Sequence, residues 1–327
     1  MTDLATNNFL RTVATGAFLL IVVLAKAPKH LVIHGDVECG DESSPLVLVS
    51  IEKVCKGVVE EVAFASSEGN FKIDLGPAES VSEADLAACS LQAYLPGYRS
   101  QRLPLAKVSI ENPEAGTLTL KPLGKQPKAP GTNREKEVSS KSKKLMRDGL
   151  NAAAKANLKA AEDLFEQSVA AFHWFPADWL NLGMLQERRG DLSAAKKSFK
   201  ESMAADDGFV LAHLYAAGVE IARQDWQEAL ADSAKVIELD PEAFPRAYLL
   251  NAQANLNLHN VDDAEKRANE GLKLDDEHRF PELEYVLALV AMDRGDRTAL
   301  RKHLESYLAM NPHGAIADAA REQLKQP

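Results

Sequence analysis

The chain has 327 residues, 46% of them hydrophobic, and a formal net charge of −10. That length suits about two domains, and the hydrophobic share is that of a folded chain. An acidic body excludes general nucleic-acid binding, which needs clustered Lys and Arg against phosphate.

Thr12 to Ala25 is a run of 14 residues without a charge, preceded by Arg11 and followed by Ala25-Lys26-Ala27. A positive flank, an apolar core and an A-x-A site form the layout of a secretory signal. Residues 1–27 therefore read as a signal peptide, and the protein as exported, periplasmic or extracellular. The run is short for a membrane span, which needs about 20 residues. Pro28 directly after the expected cleavage site makes an uncleaved anchor the alternative, with residues 12–25 tethering the chain to the inner membrane.

From 31 to 120 the segments are short, rich in Val, Ile and Leu, and cut by Gly, Pro, Ser and Asn. Strands are expected at 30–37, 46–54, 58–66, 70–75, 89–95 and 117–120. Alternation is clearest where Phe71, Ile73 and Leu75 share one face, with Lys72 and Asp74 on the other. Short strands without a long helix predict an antiparallel β-sandwich. The three cysteines, Cys39, Cys55 and Cys89, form no C-x-x-C pair, and no histidine stands at finger spacing, so no metal or cofactor is expected. After export, one disulfide and one further thiol is the natural count; in a reducing cytosol, three buried small hydrophobes.

The order of motifs in this half resembles the carboxypeptidase regulatory-like domain, a transthyretin-like sandwich. It is most similar to bacterial proteins that join such a domain to tetratricopeptide repeats. Ile51-Glu52-Lys53-Val54-Cys55, Gly69-Asn70-Phe71, Cys89 through Ser100 and Asn112 through Leu118 carry the likeness. The resemblance implies a Cys55–Cys89 disulfide, with Cys39 outside it. It implies no catalytic role, and the peptidase's H-x-x-E is absent. In an alternative reading, the sandwich and the basic linker contact envelope or extracellular glycan.

Residues 121–141 hold six basic and two acidic side chains among Pro, Gly and Ser, and read as a basic flexible linker. Beyond it the chain repeats. Ala161, Ala195, Ala229 and Ala264 fall 34, 34 and 35 residues apart, and Gly149, Gly183, Ala217, Ala252 and Ala288 recur in the same frame. The same frame holds Phe165, Phe199, Ser233, Ala268 and Leu304. This period matches the tetratricopeptide pattern, in which a helical hairpin cannot cover its own apolar face and neighbours stack. Residues 142–327 are expected to form five such repeats and a C-terminal capping helix. The fold class is therefore a β-sandwich followed by an all-α solenoid.

On the concave face, the first helix of each unit is expected to show Asn181, Met184, Arg188, Tyr215, Arg246, Gln253, Asn257 and Tyr285. Amides and aromatics between apolar patches suit a peptide or protein partner. Chaperone-binding tetratricopeptide domains hold a terminal carboxylate with Lys, Asn and Arg. The matching positions here are Met146, Leu150, Asn181, Leu211 and Tyr215, so that clamp is absent. No nucleophile elbow, metal-binding H-E-x-x-H, P-loop or dinucleotide fingerprint occurs in the chain. The sequence thus predicts a non-enzymatic interaction scaffold that captures a partner in its groove. The alternatives are a tethered surface-attachment factor that binds glycan, or an accessory subunit of a hydrolase.

Overall fold

A computed structural model describes residues 29–39, 47–123 and 140–325. The apolar run at 12–25, and most of the stretch read as linker, lie outside the described residues.

Eight strands form two four-stranded sheets: β1 (His30–Cys39), β2 (Ser50–Cys55), β3 (Val58–Phe64), β4 (Asn70–Pro77), β5 (Cys89–Tyr94), β6 (Tyr98–Ser100), β7 (Leu103–Pro104) and β8 (Glu114–Pro122). The first sheet has the order β4-β1-β8-β6 and the second β3-β2-β5-β7. Phe71 and Ile73 of β4 turn inward while Lys72 and Asp74 face out, as their period of two requires. Ile33, Phe71 and Leu118 from one sheet meet Ile51 and Leu91 from the other in one core.

The expectation of a wholly antiparallel arrangement is corrected at one place: β1 and β8 run parallel. They are the first and last strands of the sheets, so the whole intervening chain serves as the crossover that a parallel pair needs. Glycine allows them to approach. A Cβ on Gly35 would stand 2.7 Å from the Gly116 carbonyl oxygen and run into the Phe71 ring. A short helix that the sequence reading did not include, α1 (Glu83–Ala87), is capped by Ser82, whose hydroxyl accepts from the Asp85 N–H. The Cys55–Cys89 disulfide joins β2 to β5 at a register pair.

Ten helices follow in five antiparallel pairs: α2 (Ser140–Ala154) with α3 (Leu158–Ala171), α4 (Pro176–Arg188) with α5 (Leu192–Ala205), α6 (Val210–Arg223) with α7 (Trp226–Leu239), α8 (Pro245–Asn257) with α9 (Val261–Leu274), and α10 (Glu282–Asp293) with α11 (Arg297–Met310). A last helix, α12 (Ala315–Lys325), packs on α11. Strand β8 runs two residues into the stretch read as linker, and α2 starts just before its end.

The repeat spacing has a packing cause. A Cβ on Gly149 would lie 2.7 Å from the Phe165 ring, and one on Gly183 would collide with Phe199. In the first two pairs a small residue on the first helix therefore seats the aromatic of the second, and Phe165 and Phe199 are fully buried. Starts and turns are local. Asn157, Asp191 and Asp296 accept from the N–H three residues on, and Pro176 and Pro245 open α4 and α8. No helix among the described residues is long and apolar enough to cross a membrane.

Candidate interaction site on the inner face of the helical array

The first helices of the pairs pack on one another in sequence, α4 on α6, α6 on α8 and α8 on α10, and form the inner layer of the array. This face is not bare. The outer side of the β3-β2-β5-β7 sheet lies on it.

The strand period explains how. In β2, Ile51 points into the core between the sheets, so Ser50 and Glu52 point the other way, yet both are buried. In β5, Leu91 and Ala93 face the core, and Gln92 and Tyr94 share the opposite side. Register sets Glu52 opposite both Glu61 of β3 and Gln92 of β5, and Ser50 opposite Tyr94 and Phe64. A row of polar side chains that would face water in an isolated sheet is thus turned toward the helices.

Partners within the sheet and from the helical array satisfy that row. Glu52 accepts two bonds from Arg279, at 2.6 and 2.8 Å, and a third from Gln92 at 2.8 Å. The Arg279 guanidinium lies 3.8 Å over the Tyr94 ring. Glu61 pairs with Arg188, whose guanidinium lies 5.0 Å over Phe64. Just before β2, the Leu48 N–H donates to Asn181 Oδ1 at 2.8 Å, and both groups are buried. Ser67, in the β3–β4 turn, donates its N–H and hydroxyl to Asn151 Oδ1 at 3.1 and 3.0 Å. Arg99 of β6 reaches Asp276 at 2.6 Å and Glu277 at 2.8 Å. Asp275 braces that loop, accepting the Arg279 and Phe280 N–H groups at 2.9 and 2.7 Å. The apolar core runs without a break from Ile51 and Phe64 to Met146, Leu150 and Phe199.

Tyr215 and Arg246 form the middle of the face. Arg246 lies 5.6 Å over the Tyr215 ring and beside the Tyr94 hydroxyl. Burial pushes the Tyr215 phenol far up, so it stays neutral. Burial also raises the Glu187 carboxyl, and the nearby Arg246 charge partly offsets this.

Of the eight residues expected on the groove, Asn181, Arg188, Tyr215 and Arg246 are brought together against the sheet. Met184 joins the edge of the shared core. Gln253, Asn257 and Tyr285 stand further along; Asn257 is exposed, and Tyr285 packs on Tyr307 at 5.5 Å between ring centres. The sequence reading missed Glu52, Tyr94, Arg99, Asn151, Asp276 and Arg279. Only the buried alternation of Ser50 and Glu52 beside Ile51 could have hinted at a second covered face. No group of His, Cys, Asp and Glu among the described residues could hold a metal ion.

No protein-family model matches the chain, and no curated protein matches it. Solved structures do. A tetratricopeptide repeat protein from Parabacteroides merdae is similar over 57% of this chain and 73% of its own, at 18% identity and a TM-score of 0.50. YrrB, described as a tetratricopeptide protein with an unusual peptide-binding site, covers 58% and 95%, at 13% identity and 0.49. MamA from Desulfovibrio magneticus RS-1 covers 54% and 97%, at 15% identity and 0.49. The likeness to the Parabacteroides protein lies in the C-terminal part and gives the helical array the fold of tetratricopeptide repeat proteins.

Proposed function

We propose that this chain is a non-enzymatic protein-interaction scaffold of the cell envelope or exterior, and that its inner helical face is the surface that holds protein. One observation carries the reading: side chains of the array already grip a folded domain, through Asn181 and Arg188 on α4 and Arg279 in the loop before α10. A face able to satisfy main-chain donors, carboxylates and an aromatic surface together is built for protein rather than for a small substrate. The Cys55–Cys89 disulfide supports export, because such bonds persist in oxidising compartments. In this reading the β domain is a carboxypeptidase regulatory-like sandwich acting as a binding accessory. Gln253, Asn257 and Tyr285, beyond its footprint, contact an external partner. Asn181, Met184, Arg188, Tyr215 and Arg246 hold whichever β surface occupies the rest.

The test is site-specific photo-crosslinking in native cells. A photoreactive side chain at Gln253 or Asn257 is expected to trap a discrete protein, and one at the outward Lys200 of α5 is not. Trapping from Lys200 alone, or from none of the three, contradicts the reading.

A further inference from the structure

The β domain and the inner face match in a pattern of alternating charge. The β domain brings carboxylates, Glu52 and Glu61, to Arg279 and Arg188, and a guanidinium, Arg99, to Asp276 and Glu277. It also offers the Leu48 and Ser67 N–H groups to Asn181 and Asn151. An unrelated ligand would have to place two acids, one base and two main-chain donors at the same points, since like charges set opposite each other reject a wrong partner. A second copy of this chain carries the whole pattern.

The path of the chain bears on the same point. Leu123, the last described residue before the helices, packs on the cluster of Val210, Leu214, Val236 and Phe244 from the third and fourth helix pairs. Helix α2, however, begins the first pair at Ser140. Residues 124–139 make this return. Helices pack at 8–10 Å, so crossing two pairs takes about 20 Å. Seventeen Cα steps reach about 58 Å. The length of the connection thus does not fix which chain supplies the β domain, and the contacts themselves do not depend on it.

We propose that the inner face accepts the β domain of a second copy, so that two chains assemble by reciprocal exchange. This rests on the inner face being the protein-binding surface, and names its partner. Within one chain the linker keeps the β domain at high effective concentration, which favours the internal arrangement in dilute solution.

The experiment mixes two full-length variants. In Glu52→Arg and in Arg279→Glu the central pair becomes like-charged, within one chain and equally in a homodimer. In a mixed pair both sites are matched again: Arg at 52 from one chain meets Glu at 279 of the other, and the native Glu52 meets the native Arg279. Each variant alone is expected to run as a monomer by light scattering, and the equimolar mixture as a one-to-one species of twice the mass. The double variant Glu52→Arg/Arg279→Glu is expected to be monomeric and folded, which shows that the reversed pair is tolerated. A mixture that stays monomeric while both variants retain their helical circular dichroism overturns the proposal. If it does so while Gln253 and Asn257 still trap a partner in cells, the scaffold reading stands and only exchange between copies falls.

Discussion

Arg279 and Glu52, 227 residues apart in the chain, form an ion pair in which one guanidinium nitrogen reaches both carboxylate oxygens at 2.6 and 2.8 Å, and the guanidinium carbon lies 3.8 Å from the centre of the Tyr94 ring. Glu52 is 7% exposed, so the pair sits largely out of water. Removing one partner of such a pair strands the other and costs about 3–5 kcal/mol. Arg279→Ala is therefore expected to lower the urea midpoint sharply. Arg279→Met with Glu52→Leu removes both charges and should recover most of the loss. Equal losses in the single and double variants would mean that the pair does not hold the two parts together.

The packing of each repeat predicts a steric result. Gly183→Ala pushes a methyl group into the Phe199 ring, for which overpacking costs about 1–3 kcal/mol. Phe199→Ala leaves a hole in the same place and costs about 3–5 kcal/mol. The combination should cost less than the sum, because the added methyl no longer meets a ring. Strict additivity in thermal melts would count against this contact.

Asp178, fully buried on α4, has one oxygen bonded to the Ser168 hydroxyl at 2.7 Å and the other without a partner. Burial raises its carboxyl from 3.8 to about 7, opposed by the Ser168 bond. Between these values the unfolded chain has released the proton and the folded chain keeps it. Folding is thus favoured below about pH 4 and loses that advantage as pH rises toward 7, by up to about 4 kcal/mol at 1.36 kcal/mol per unit. Asp178→Asn should remove the dependence. The difference in stability between variant and native protein should move in the variant's favour from pH 4 to pH 8. A difference that is flat with pH would show that Asp178 is ionised in the folded protein.

The Cys55–Cys89 bond closes a loop with a sequence separation of 34. In the chain-entropy account, such a loop contributes about 4 kcal/mol. Reduction, or the double Cys→Ala variant, should lower the melting temperature of the β strands, read from their amide signals by NMR. No change would show that the sheets hold without it.

Much of this was readable in the sequence, and the rest was hidden for physical reasons. The 34-residue period marked Gly183 and Phe199 as repeat positions, and the structure shows that they pack on each other. Phe71 and Ile73 announced β4 through a period of two. Asn181 and Arg188 were expected to face an external partner, and in the structure they meet Leu48 and Glu61 of the chain's own β domain. What lines the inner face could not be read. Glu52, Gln92 and Tyr94 alternate with core residues as any solvent-facing row does, and nothing local marks such a row as buried. Arg279 and Asp276 lie on a loop, where no periodicity applies. Strands β6 and β7 are too short to carry a pattern, and the parallel pairing of β1 with β8 joins segments at opposite ends of the domain.

The inner face of the array holds the β domain, and the Leu48 amide reports this contact. This N–H donates to Asn181 Oδ1 at 2.8 Å, across 133 residues of sequence. Its hydrogen exchange should be measured by NMR in the native chain and in Asn181→Ala. The structure predicts strong protection in the native protein, comparable to that of core amides such as Ile33. In the variant, an unsatisfied buried donor costs about 1–3 kcal/mol, and exchange should speed up by roughly 5- to 150-fold at that residue. A Leu48 amide that exchanges in the native chain as fast as an exposed loop, and unchanged in the variant, would contradict the docking on which the account rests.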